Sequence, residues 1–252
     1  MSNWKYINNV YLYDGTFHGF LTIVFITYLK KTLPLRIFTK SNYSPNFLDK
    51  ELIIETDFKK SKRVLLGIEK NISYETLFNT YYSFLSNEAE KEIYLLKYLH
   101  SGFNFGSQIN NKLFLPYVYK VINMKKRTFG EYHRLKGLLR FQEIHDNLYY
   151  SSIHPDNNII EILGHHFIKR LPSQNFIIHD KKRNLCLLYN TKNYQIISSN
   201  EIEIPTISLE EQKYQELWKL FFKTISISQR KNTKCQMQHM PKKYWKDLVE
   251  KS

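Results

Sequence analysis

The chain has 252 residues, of which 42% are hydrophobic and 15% aromatic, enough for a sizeable core, and its 8 glycines and 7 prolines exclude a low-complexity or fibrous chain. Its formal net charge is +14, a field that attracts polyanions and speeds their encounter. Two cysteines, Cys186 and Cys235, argue against a disulfide framework and exclude a three-cysteine radical-enzyme signature.

The elements read as follows in chain order. Asn9–Tyr13 is a short strand, Asp14-Gly15 a turn, and Thr16 the N-cap of a helix reaching Lys31. Its apolar core, Phe17 to Leu29, is shorter than the roughly 20 residues that span a bilayer, and the N-terminal residues lack the basic-then-apolar pattern of a signal peptide. No membrane association and a cytoplasmic location are therefore expected. Leu33–Thr39 and Glu51–Glu55 are short strands or loops. Ser73 caps a helix over 74–86, and a second helix covers Glu88–Leu99. The Gly/Asn/Ser stretch Ser101–Asn111 reads as a linker. Leu115–Arg127 and Phe129–Leu135 are helical pieces with Gly130 at their junction.

From Gly137 the texture becomes β-like. Leu138–Ile144, Leu148–Ile153, Asn175–His179, Leu185–Tyr189 and Tyr194–Ser198 are short strands, interrupted by a helix from Asn158 to Arg170 that Pro172 stops. Ser208 caps an amphipathic helix with Leu217, Trp218, Phe221 and Phe222 on its expected core face, and a last short helix begins near Pro241. The expected fold is α+β: a helix-rich N-terminal part, residues 1–105, and a basic C-terminal part, residues 106–252, with an antiparallel sheet flanked by helices, the two packed as one unit.

The charge is uneven. Residues 1–110 hold 13 basic and 10 acidic side chains, residues 111–252 hold 24 and 13, and six of the eight arginines follow residue 111. The densest segment runs from Arg230 to Trp245. Arg230, Lys231, Lys234, Lys242 and Lys243 can neutralise phosphates. Asn232, Gln236 and His239 supply hydrogen bonds, and Tyr244 and Trp245 offer faces on which bases can stack. A solvated basic tail whose aromatics dock the last helix is the alternative. A second cluster, Lys125, Lys126, Arg127, Arg134, Lys136 and Arg140, is opposed only by Glu131. It can track a backbone or form a solvated helix face.

Six of the nine histidines lie between His133 and His179, without the His-Glu-x-x-His or Cys-x-x-Cys spacing that zinc uses, so no metal and no cofactor is expected. There is no P-loop, dinucleotide fingerprint or nucleophile elbow. Asp156, His166 and Asp180 are the candidate catalytic residues, with Arg140, Arg170 and Arg183 as phosphate ligands. A packing ion-pair network of Arg170, Asp180 and Arg183 is the competing account.

An ordered series of motifs carries a resemblance. It begins with Tyr11-Leu12-Tyr13-Asp14-Gly15-Thr16-Phe17-x-Gly19-Phe20-Leu21 and continues with Gly137-Leu138-Leu139-Arg140-Phe141 and Pro155-Asp156-x-Asn158-Ile159. His166-Phe167-x-x-Arg170-Leu171-Pro172 and Ile178-x-Asp180-x-x-Arg183 follow. Arg230-Lys231-Asn232-x-x-Cys235-Gln236 and Met240-Pro241-Lys242-Lys243-Tyr244-Trp245 close it. Over nearly its whole length the chain resembles a DNA-repair and DNA-metabolism family built around the domain of unknown function 4130. Asn157 stands where that pattern has His. The resemblance implies DNA as partner and an accessory role beside a radical-SAM DNA-repair or modification protein. It leaves open a repair enzyme of nuclease, lyase or glycosylase type, and a protein-interaction module without DNA contact.

Overall fold

A computed structural model describes residues 4–145, 147–201, 207–230 and 232–251. The chain forms two compact units, 1–128 and 129–252. The division falls inside a helix rather than at the Gly/Asn/Ser stretch around residue 105.

Unit 1 is built on a three-stranded parallel sheet. Strand β1 (Lys5–Tyr13) lies between β2 (Thr32–Thr39) and β3 (Lys50–Ile53). Helix α1 (Phe17–Lys30) makes the crossover from β1 to β2. The Asp14-Gly15-Thr16 motif has a local physical role. Gly15 sits at φ 82°, in the left-handed region open to glycine. Asp14 accepts from the Thr16 amide and hydroxyl and from the Thr56 hydroxyl, and the Thr16 hydroxyl caps the Gly19 amide. A Cβ on Gly19 would collide with the Asp14 carboxylate, so the motif packs against itself.

Four more helices follow: α2 (Phe58–Asn71), α3 (Tyr74–Phe84), α4 (Lys91–Phe105) and α5 (Pro116–Leu138). The expected linker Ser101–Asn111 is instead the last turn of α4 and a 3-10 helix, Gly106–Asn111, held by the buried side chain of Ile109. Gly130 does not break α5, because the good helix formers on either side carry the hydrogen-bond ladder through it.

Unit 2 holds a five-stranded sheet in the order β4 (Gln142–His145), β5 (Leu148–Ile153), β6 (Asn175–Asp180), β7 (Leu185–Tyr189), β8 (Tyr194–Ser198). It is mixed rather than wholly antiparallel. The β5–β6 pair is parallel because helix α6 (Ile160–Arg170) carries the chain back across the sheet. Helix α6 covers one face closely, since a Cβ on Gly164 would overlap the Leu187 side chain. Ile144, Tyr150, Ile177 and Cys186 form a core on the other.

Helix α7 (Leu209–Thr224) is capped by Ser208 as expected, but its apolar stripe is not core. Leu217 and Phe221 are 60% and 52% exposed, while Phe222 is half-buried and Glu211 reaches the Glu143 amide of β4. Helix α8 (Thr233–His239) and a 3-10 turn, Lys242–Asp247, follow. Among the described residues no helix is long and apolar enough to cross a membrane.

Candidate nucleic-acid interface

A buried carboxylate organises the loops of unit 2. Glu131, on the last turns of α5, is 2% exposed. Its Oε1 accepts from the Asp156 amide (2.9 Å), Lys243 Nζ (2.8 Å) and the Tyr244 hydroxyl (2.8 Å). Its Oε2 accepts from the Asn157 amide (2.8 Å) and the Asn157 side-chain amide (2.7 Å). Burial works against the Glu131 charge, but Lys243, the two loop amides and Tyr244 outweigh it and hold the carboxyl below its usual range. Burial and the Glu131 charge together push the Tyr244 phenol up to about 12.

A second carboxylate sits at the surface above this one. Asp156 has a 57% exposed side chain, held between Lys243 and Lys182 Nζ (3.1 Å). Its hydrogen bond to Lys243, aided by Lys182, outweighs partial desolvation and lowers its pKa. Burial of Lys243 disfavours its charge, but Asp156 and Glu131 prevail and raise its pKa. Lys243 is therefore a fixed cation rather than a neutral amine available for Schiff-base chemistry.

The β6–β7 turn completes the cluster. Asp180 is fully buried and accepts from the amides of Lys182 (3.0 Å) and Arg183 (3.2 Å). It also pairs with the Arg183 guanidinium (3.0 Å), which donates to the carbonyls of Pro155 and Asp156. Arg183 thus ties the turn to the Asp156 loop. Lys181 and Lys182 project outward at its tip.

The C-terminal segment is strapped down at two further points. Asp247 lies 2.9 Å from His154 Nδ1 and accepts from the Ser152 hydroxyl (3.0 Å). Glu250 pairs with Arg140 (2.7 Å), which also donates to the Gly137 carbonyl, and accepts from Trp218 Nε1 (3.3 Å). The acids of this segment face inward, while Lys242 and Lys246 are exposed.

The sequence model of the domain-of-unknown-function family DUF4130 matches residues 89–250. The chain belongs to this family. No curated protein and no solved structure matches it.

The DUF4130 match takes in every residue of the cluster, and the motif residues divide by role. Asp156, Asp180, Arg183 and Lys243 come together, joined by Glu131 and Lys182, which sequence reasoning did not select. The lone acid among six bases was the available signal for Glu131. The side chains of His166 and Arg170, on α6, make no hydrogen bond or ion pair among the described residues. Partial burial and the nearby charges of Lys136 and Arg170 lower the His166 pKa. Asp180 is spent on its turn, so the three catalytic candidates do not form one constellation. Arg170 is likewise absent from the Asp180–Arg183 pair.

Tyr244 corrects an expectation. It is 1% exposed with its hydroxyl on Glu131, so it cannot stack on a base. Trp245 is half-buried, donates to the Met240 carbonyl (2.9 Å), and has the ammonium groups of Lys251 and Lys242 4.8 Å and 5.9 Å from its ring centre. Arg140 is a strap to Glu250 rather than an unpaired phosphate ligand. Asn232 caps α8 through the Cys235 amide (2.9 Å). Arg230, Lys234 and His239 are exposed, Gln236 is half-buried, and Lys231 lies outside the described residues.

In the second basic cluster, Arg127 pairs with Glu88 and Lys125 lies over the Phe78 ring, so α5 does not present an unbroken cationic face. Among the described residues no group of three His, Cys, Asp or Glu side chains could hold a metal ion.

Proposed function

We propose that this protein binds nucleic acid through the basic surface of unit 2, and that its target is DNA in a repair setting. In this reading it acts as an accessory that presents DNA to a radical-SAM repair or modification protein. One observation carries the reading. Lys243 and Lys182 meet on Asp156, so the β6–β7 turn and the Lys242–Lys246 segment, 60 residues apart in the chain, form one cationic patch. Five of its side chains are lysines or arginine: Lys181, Lys182, Arg183, Lys242 and Lys243. Of the three acids that fix the patch, Glu131 and Asp180 are buried beneath it and paired with Lys243 and Arg183, while Asp156 is exposed between Lys182 and Lys243.

Support for DNA comes from the motif resemblance, since charge alone does not separate DNA from RNA. The geometry supports binding more than catalysis, because Asp180 is committed to a turn and Lys243 is held protonated.

The experiment is an anisotropy titration of the full chain with labelled single-stranded DNA, duplex DNA and RNA of matched length. Binding to DNA that weakens steeply as salt rises is expected. Absence of binding to all three at low salt overturns the reading.

A further inference from the structure

We propose that Lys182 and Lys243 form a seat for one backbone phosphate, and that the Asp156 carboxylate fills this seat in the free protein. The inference rests on the reading that unit 2 binds a nucleic acid backbone, and it names how one contact is made and restrained.

The Asp156 backbone is fixed independently of its side chain. Its amide is bound by Glu131 and its carbonyl by Arg183. The carboxylate is therefore not needed to hold the loop. It spans two ammonium groups from distant segments, Lys182 at 3.1 Å on one oxygen and Lys243 on the other. The two non-bridging oxygens of a phosphodiester can make the same pair of contacts, and each anion carries one negative charge.

Both lysines stay partly open to solvent, with side chains 45% and 38% exposed, so an incoming phosphate can reach them. Exchange costs little, because an ion pair this exposed is weak and the released carboxylate returns to water. Once displaced, Asp156 remains beside the phosphate and repels it. Asp156 thus acts against binding, whereas the lysines act for it.

Asp156→Asn keeps the size of the side chain and removes its charge. With labelled single-stranded DNA of about 20 nucleotides, this variant should bind about three- to tenfold more tightly than the unaltered chain at fixed salt, and its salt slope should steepen by about one. Lys182→Ala in the same background should abolish most of that gain. Glu210→Gln, an exposed acid at the start of α7, changes net charge equally and should shift affinity by less than about twofold. Equal gains from Asp156→Asn and Glu210→Gln, or a gain that survives Lys182→Ala, overturn the seat and leave the binding function standing. No DNA binding by the unaltered chain or by Asp156→Asn overturns both.

Discussion

Glu131→Ala tests whether one carboxylate organises unit 2. The substitution takes the acceptor from five donors at once. Lys243 keeps Asp156 and can rehydrate, and Asp156 lies on an exposed loop, so neither group costs much. The Tyr244 hydroxyl and the Asn157 donors are buried and lose their acceptor where water is scarce. A buried donor left unsatisfied costs about 1–3 kcal/mol, and the truncated side chain leaves a small void. The expected loss is about 3–5 kcal/mol. Tyr244→Phe removes one donor and leaves Glu131 four, so about 1 kcal/mol is expected there. Urea unfolding at pH 7 in a Trp4→Phe background reads unit 2 through Trp218 and Trp245. A loss below about 1 kcal/mol for Glu131→Ala would mean that this carboxylate does not hold the loops of unit 2 together.

Other outcomes follow from the same structure. Burial, with help from the charges of Lys181 and His154, lowers the His179 pKa to about 4 from its ordinary 6.5. His179 therefore stays neutral in the folded state while the unfolded chain takes up a proton. Its contribution is complete above pH 6.5 and declines as pH falls toward 4, by up to about 3 kcal/mol. An NMR titration of its ring protons should show a midpoint near 4, and a midpoint near 6.5 contradicts the buried setting. Gly164→Ala forces a methyl group into Leu187 where α6 meets β7. It should cost about 1–3 kcal/mol in urea unfolding, and an unchanged midpoint would contradict that close approach.

Local signals were legible in the sequence. Thr16, Ser73 and Ser208 each cap the helix that follows, because a cap needs only its own neighbours. Strands β5, β7 and β8 coincide with their apolar runs. Helix α2 carries legible signals that sequence reasoning passed over: Asp57 caps it, and Val64, Leu65 and Ile68 fall at helical spacing between charged residues. The parallel β5–β6 pairing was implicit in a strand, helix, strand sequence, since that crossover returns the chain in the same direction.

The candidate site was half legible. Its residue types were visible, but its geometry depends on contacts at long range. Glu131 finds Asn157 26 residues away and Tyr244 113 away. A basic and aromatic run reads alike whether its tyrosine stacks on a base or points inward to a carboxylate. Only the fold separates Tyr244 from the lysines around it.

The most direct test of the account is the salt dependence of DNA binding, compared between the unaltered chain and a variant with Lys182, Lys242 and Lys246 all changed to Ala. The slope of log K against log salt should be about −3 or steeper, reduced by about one for each lysine that meets a phosphate. A slope that the three substitutions leave unchanged would contradict this.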